Sequence, residues 1–340
     1  LKLGISLEAD GVEVPDAVDT LRIAEDLGFD SVWVGEAYGS DAASALGYLG
    51  ATTRRLRIGS AIMQMHGRTP AMTAMTAMTL DRLSGGRFNL GLGVSGPQVV
   101  EGWHGVPYGS PLTTTKEYLD IVRQVIARES PVTYEGRRYT LPFNGDGATG
   151  LGRALRSSID PLRKRIPIYL ATLGSKSVEL TGEIADGWLP IFYSPTQEDA
   201  LCGALDRGIA RRPSNAGSLE IVASPQIAMG PDIDDCRDRL RPMLALYIGG
   251  MGARGKNFYF DLVSSLGYGS DAVRIQDAFL EGRKAEAASL VPDRLIDEVA
   301  LAGPPERIAE QLEVWKASRV DTLCVRTRDV RVLAALAALI

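Results

Sequence analysis

The sequence predicts a single α/β domain, a (β/α)8 or TIM barrel with insertions over its C-terminal mouth. A repeated junction and a strand count support this. The junction is a helix that ends in a short polar turn and feeds an apolar strand. It occurs in "LRIAEDLGFDSVWVG", in "VELTGEIADGWLPIF" and in "IAEQLEVWKASRVDTLCVR". In the first, Gly28 follows the helix and Asp30 introduces the strand Ser31–Gly35. Asp186 and Asp321 stand at the same place in the other two, before strands at Trp188 and up to Arg326. Glycine suits a helix C-cap, and a strand apolar throughout is buried on both faces. Junctions of this kind along the whole chain predict alternating strands and helices around a parallel sheet.

Further strands are expected at Lys2–Ser6, Leu56–Ile62, Phe88–Gly93, Pro167–Ala171 and Glu220–Ile227. The total is then eight, the number that closes a barrel. Helices are expected over Pro15–Leu27, Pro70–Leu83, Thr113–Arg128, Ser175–Ala185 and Pro304–Ser318, three of them opened by a proline that a first turn tolerates. One domain over residues 1–340 accommodates all of this. Two stretches exceed ordinary connections, at about 131–165 and 249–299. The first holds a hairpin-like "VTYEGRRYTLP" and a glycine-rich "NGDGATGLG"; the second reads as mostly helical. Long barrel insertions usually cap the mouth, so both are expected there. In "AMTAMTAMT" the spacing brings Met72, Met75 and Met78 roughly onto one helix face, expected to pack against the barrel.

Composition narrows the function. Apolar residues make up 45% of the chain, enough for a full core, and the net charge of −5 offers no basic field to a nucleic acid. Cys202, Cys236 and Cys324 form no CxxC pair and read as reduced, buried thiols of a cytoplasmic protein. The two histidines, His66 and His104, lack HExxH-like spacing, so no protein-bound catalytic metal is expected. No leader pattern opens the sequence, which begins at Leu1 and is expected to be trimmed at its start. The longest apolar run, Val332 to Ile340, is far shorter than the ~20 residues of a membrane span, so no membrane association is expected.

Four segments offer chemistry. "GLGVSG", Gly91 to Gly96, matches GxGxxG after a strand, the fingerprint of a Rossmann dinucleotide site. Its context fails, because Glu117 and Asp120, the acids about 20 residues on, fall inside a helical pattern rather than at a strand end. A glycine-rich strand end still allows close approach of a flat ligand. In "IPIYLATLGSKSVELTGEIADGW" a strand ends at Ala171, and Gly174 precedes a helix beginning near Ser175 and Lys176. Exposed N–H groups, the helix dipole and a lysine make an anion cradle, or simply an N-capped helix. "WVGEAYGSDAAS" clusters Glu36, Tyr38 and Asp41 where loops line the mouth, either to polarise a substrate or as a solvated loop. "RIGSAIMQMHGRTPAM" alone is a strand, a turn and a helix.

Together these segments resemble the luciferase-like family: bacterial luciferase, the alkanal and alkanesulfonate monooxygenases, and the reductases and dehydrogenases that use coenzyme F420. The resemblance rests on "GFDSVWVGE", "RIGSAIMQMHGRTP", "GGRFNLGLGVSGPQVVEGWHG", "YLATLGSKSVELTGEIADGW" and "LAGPPERIAEQLEVWKASRVDTLCV", in that order along nearly the whole chain. The "GVSGPQVVEGWHG" version is most similar to the F420-using branch. The resemblance implies a non-proline cis peptide at Ala61–Ile62, bulging toward a deazaflavin ring. It implies that Val94, Ser95 and Gly96 lie beside that ring, and that Gly174, Ser175 and Lys176 hold a phosphate. Glu36 matches an acid near ring and substrate, and Tyr38 on the same loop joins it as a candidate catalytic residue. Two positions depart from the pattern. Many relatives carry histidine directly after that acid, where this chain has Ala37, and several deazaflavin enzymes carry glutamate where it has Pro97.

The expected activity is hydride transfer between coenzyme F420 and a small organic substrate in a protein that, like its relatives, forms a homodimer. An FMN-dependent monooxygenase of the same family and a non-catalytic flavin- or deazaflavin-binding protein are the alternatives. With both usual acid–base groups absent, Glu36 and Tyr38, then Glu101 and His104, remain as proton donors or acceptors.

Overall fold

The structure, a computed structural model, describes residues 1–7 and 14–340. Eight parallel strands form its centre: β1 (Lys2–Leu7), β2 (Ser31–Val34), β3 (Arg57–Ser60), β4 (Phe88–Gly93), β5 (Ile168–Leu170), β6 (Gly187–Trp188), β7 (Glu220–Ala223) and β8 (Thr322–Val325). Hydrogen bonds run in the order β3-β2-β1-β8-β7-β6-β5-β4, and β3 pairs again with β4, which closes the barrel. The predicted strand positions are therefore occupied: β4 has its expected bounds, β1 runs one residue further, and β2, β3, β5 and β7 are shorter than the apolar pattern suggested.

Charge fills the bottom of the barrel. Arg57, opening β3, donates to Asp30 Oδ2 at 2.5 Å and reaches across to Glu220 Oε1, at the start of β7, at 2.8 Å. Tyr169 and Thr322 donate to the same Glu220 carboxylate at 2.5 and 3.0 Å. Burial opposes the charge on Glu220, but the hydrogen bonds from Arg57 and Tyr169 outweigh it and hold the carboxyl down at about 2. Above this layer Trp33, Tyr169, Leu189, Val222 and Cys324 form an apolar plug, against which Ala61, Ile62 and Ala171 pack.

Four expectations change. The strand expected over Glu220–Ile227 divides at Ser224–Pro225: β7 stops at Ala223, and Gln226–Met229 pairs outside the barrel with Ala300–Gly303. Pro225 has no N–H to continue a ladder. The insertion expected at 249–299 thus starts earlier, filling the chain between those paired strands from helix Ile233–Gly250 onward. Its helices enclose a second apolar core, joined to the loop after β6 through Phe192 against Tyr247 and Tyr259.

The segment 131–165 starts and ends at the base and climbs the barrel's flank, so that only its hairpin reaches the mouth, where Arg138 donates to Pro107 O at 3.1 Å in the loop after β4. Its hairpin, Tyr134–Glu135 with Thr140–Leu141, is tied to helix Pro111–Ala127 by Glu117, which accepts from the N–H groups of Arg137, Arg138 and Tyr139. Farther on, Arg163 pairs with Asp81 and Arg82 donates to Asp160 O, at the junction before β4. A barrel helix runs back from mouth to base, so a segment between helix and strand starts and finishes at the base.

Of Met72, Met75 and Met78 only Met78 is buried; Met72 and Met75 are 52% and 50% exposed. Each three-residue step on a helix slips by about 60°, so the three cannot share one narrow face. Finally, helices Ala42–Thr52, Glu198–Ile209 and Val330–Leu339 have no counterpart in the sequence-based expectation. Among the described residues, no helix is long and apolar enough to cross a membrane.

Candidate active site at the barrel mouth

The β3–β4 edge shapes one wall of the mouth. Gly59 pairs with Asn89, and pairing resumes with Met63 opposite Leu92. Ser60, Ala61 and Ile62 therefore face only Leu90 and Gly91, so the β3 side carries a β-bulge. Ser60 fills the interrupted ladder, its Oγ donating to Gly91 O at 2.7 Å and accepting from Gly91 N at 2.9 Å. The Ala61–Ile62 peptide within the bulge is cis. A Cβ on Gly93 would lie 2.9 Å from Ile62 Cδ1, so glycine is what lets the bulge close on β4.

Beyond β4, Ser95 takes a left-handed conformation, φ 59°, that side chains other than glycine, asparagine and aspartate seldom adopt. Tyr108 Oη donates to Ser95 O at 3.4 Å, and the Tyr108 ring stacks on His66. Burial pushes the His66 imidazole below its ordinary value. Phe192, on the loop after β6, is left-handed too, φ 51°. Residues held this way against their own preference cluster at functional sites.

Glu36 is fully engaged. Its Oε1 accepts from Arg68 Nη1 at 2.5 Å and from Gln64 N at 3.2 Å; its Oε2 accepts from Arg68 Nη2 at 2.8 Å and from Ala42 N at 3.0 Å. Side-chain exposures of 9% and 18% for Glu36 and Arg68 make this a bidentate, largely buried pair. Tyr118 continues the support, its Oη donating to Arg68 O at 3.1 Å. Tyr38 points elsewhere: it is 62% exposed and meets Trp103 edge-on, ring centroids 6.5 Å apart.

On the other side of β5, Gly174 is the N-cap of helix Ser175–Ile184 and offers no side-chain acceptor to its first turn. Trp188 Nε1 donates to Thr172 O at 3.0 Å, and Thr172 and Thr181 bond through their hydroxyls at 2.8 Å, which fixes the turn. Gly174 has an ordinary φ of −69°, and a Cβ there would meet nothing within 4 Å. The fold itself therefore leaves open space beside the glycine that caps this helix.

A family model described as luciferase-like monooxygenase matches residues 3–322. The chain belongs to the luciferase-like monooxygenase family. Its relatives sharpen the comparison. A Mycobacterium tuberculosis protein named "Putative coenzyme F420-dependent oxidoreductase" is 45% identical, the alignment covering 100% of this chain and 99% of that protein. A 5,10-methylenetetrahydromethanopterin reductase of Archaeoglobus fulgidus is 28% identical, with 87% and 85% covered. The coenzyme F420 dependent tetrahydromethanopterin reductase of Methanopyrus kandleri shares the fold, with a TM-score of 0.80 at 20% identity over 100% of this chain and 98% of that one.

In this luciferase-like enzyme, then, the bulge at Ala61–Ile62 and the turn Val94–Gly96 meet across β3 and β4, while Gly174, Ser175 and Lys176 follow β5, the next strand round from β4. Three residues were not singled out from the sequence. Arg68 neutralises Glu36, and Gln64 ties the β3 exit to the Glu36 loop. Arg207 brings Nη2 to 3.3 Å from Ser175 Oγ at the helix N-terminus while its Nε pairs with Glu179 at 3.0 Å. Arg207 lies on helix Glu198–Ile209, far along the chain. It arrives because Gly182 and Gly208 let two helices touch: a Cβ would lie 2.3 Å from Leu205 O in one case and 1.9 Å from Glu179 O in the other. A pair of glycines inside helices was the available signal. A cavity of about 410 Å³ lies elsewhere, between Pro195, Asp297 and Trp315. Asp297 there is paired with Arg237 and Arg307, so its charge is already matched.

Proposed function

We propose that the protein is a coenzyme F420-dependent oxidoreductase that transfers a hydride between the deazaflavin and a small organic substrate at the barrel mouth. The observation that carries this reading is the wall made by the β3 bulge and the Val94–Gly96 turn, whose backbone is fixed by the Ser60–Gly91 bonds and by the left-handed Ser95. The names of the relatives point the same way. The residues present fit such a group: the wall suits a planar ring, and the open helix N-terminus beside Ser175, Lys176 and Arg207 suits its phosphate. When bound, the deazaflavin supplies or accepts the hydride. Ala61, Ile62, Val94, Ser95 and Gly96 orient the ring, and Gly174, Ser175 and Lys176 bind the phosphate. The helical insertion after β7 excludes water from its side of the mouth, where Met243 Sδ lies 3.3 Å from Arg326 Nη1.

Glu36 is assigned an anchoring role in place of a catalytic one. A carboxylate holding a bidentate arginine and two backbone N–H groups has neither a proton to give nor a free lone pair facing the substrate. Tyr38 keeps a place at the rim, with Trp103, as a contact for substrate.

The test is a fluorescence titration of purified protein with F420 and, separately, FMN. F420 should bind at micromolar Kd or better, about −8 kcal/mol. Tight FMN binding without F420 binding would favour an oxygen-activating monooxygenase, and F420 binding without any turnover a non-catalytic carrier. We further propose a cytoplasmic homodimer in which the half-exposed Met72 and Met75, with Tyr48 on the neighbouring helix, face a second copy. A monomeric mass by light scattering would refute that assembly.

A further inference from the structure

Two loops of the mouth are cross-linked by a buried glutamine whose orientation decides the state of a histidine. Gln64, 2% exposed, donates from Nε2 to Ala37 O at 2.9 Å and to Glu36 O at 3.4 Å. Turning the amide over would set its oxygen against both carbonyls, so Oε1 faces the other way. There it meets His104 Nε2 at 2.8 Å. A carbonyl oxygen accepts, so His104 must carry its proton on Nε2, and its Nδ1 is left with the lone pair. Nδ1 has no hydrogen-bond partner among the described residues, and it is not among the buried atoms that lack one. The other histidine differs: Nδ1 of His66 is buried, and its Nε2 meets Tyr108 O at 3.3 Å. The His104 ring packs over Gly67, where a Cβ would come 3.1 Å from Cε1, and Trp103 beside it meets Tyr38. The β4 loop is thereby fastened to the β2 and β3 exits around this imidazole.

We propose that His104 Nδ1 is the proton-exchanging atom of the active site and that Gln64 is the positioning residue that sets its tautomer. This rests on the hydride-transfer reading. In the reducing direction, the substrate carbon gains a hydride and its π bond opens onto the heteroatom. That heteroatom then takes the proton from Nδ1 of the imidazolium, and the cofactor is oxidised by two electrons. The imidazole returns to its neutral Nε2–H form without moving, because Gln64 holds that hydrogen throughout. Oxidation runs the same exchange backwards, with Nδ1 as base.

Because the chain has two histidines, long-range 1H–15N spectra of the untagged protein, assigned with His66→Gln, read the tautomer directly. Wild type should show His104 as the Nε2–H form, Gln64→Leu should show a mixture, and added F420 should move the Nδ1 resonance. An Nδ1–H tautomer in wild type, or an Nδ1 resonance unmoved by saturating F420, overturns the proposal. With a substrate that wild type turns over, His104→Gly should lose at least about 100-fold of turnover at unchanged F420 affinity. Free imidazole should restore part of that loss, which a structural role would not allow. Turnover of His104→Gly near that of wild type refutes this role while leaving the F420 reading intact. Failure of wild type to bind F420 overturns that reading, and this role with it.

Discussion

Replacing Glu220 by glutamine isolates the charge at the base of the barrel. The side chain keeps its shape and can still accept from Tyr169 or Thr322, but Arg57 loses one of its two carboxylates. In the folded protein the Glu220 carboxyl is held at about 2, down from an ordinary 4.5. At about 1.4 kcal/mol for each tenfold change in proton affinity, the ionised form contributes about 3 kcal/mol to stability. Only 19% of the side chain is exposed, so solvent screening removes little of it. The sign follows from the folded value lying below the unfolded one. The contribution is complete above about pH 4.5 and drains away as pH falls toward about 2. Urea unfolding of wild type and Glu220→Gln should therefore differ by about 3 kcal/mol near neutrality. The two curves should converge as acid protonates the wild-type side chain. A gap that is the same at about pH 7 and about pH 3.5 would show that amide packing, not charge, sets the effect and would refute the reasoning.

Other outcomes follow from the mouth and the flank. Arg68→Met strands a nearly buried carboxylate and should cost about 3 kcal/mol, while Glu36→Gln/Arg68→Met should cost less than the summed single changes; additive losses in urea unfolding would deny the coupling. A Cβ at Gly174 meets no neighbour within 4 Å, so the melting temperature of Gly174→Val should stay close to wild type while F420 binds at least about tenfold more weakly, about 1.4 kcal/mol; equal affinity would make this segment a helix cap alone. Glu117→Ala frees three hairpin N–H groups and should expose Arg137 and Arg138 to trypsin, with a cut there before any global unfolding; an uncut hairpin would show that Tyr118 and Tyr139, whose rings meet edge-on, suffice to hold it. Cys324 lies inside the barrel, and burial raises its thiol far above the ordinary value. It should resist iodoacetamide until the protein unfolds, and fast labelling of the native protein would contradict that burial.

The barrel was legible in the sequence because its signals are local. A helix followed by a polar turn and a fully apolar strand marks three of the units within short windows spread along the chain, and the remaining strands stand out as apolar runs. The helix N-terminus after β5 was legible for a similar reason, since "YLATLGSKSVEL" holds strand, glycine turn and helix in one segment. The bulge was not: "RIGSAIMQMHGRTPAM" reads as a strand, a turn and a helix, and only the family resemblance pointed to a cis peptide at Ala61–Ile62. What the sequence could not settle is who partners whom. Glu36, at the end of a buried strand, has the same local pattern whether it faces substrate or Arg68, and only the folded chain puts that guanidinium on both its oxygens. Arg207 reaches Ser175 through two glycines on different helices, and His104 acquires its tautomer from Gln64, forty positions earlier. The insertions behaved likewise: their length was visible, but whether they cover the mouth or run down the flank depends on which end of the barrel each one leaves. Local periodicity determines elements. Hydrogen bonds between elements determine which side chains are already occupied, and so which remain free to do chemistry.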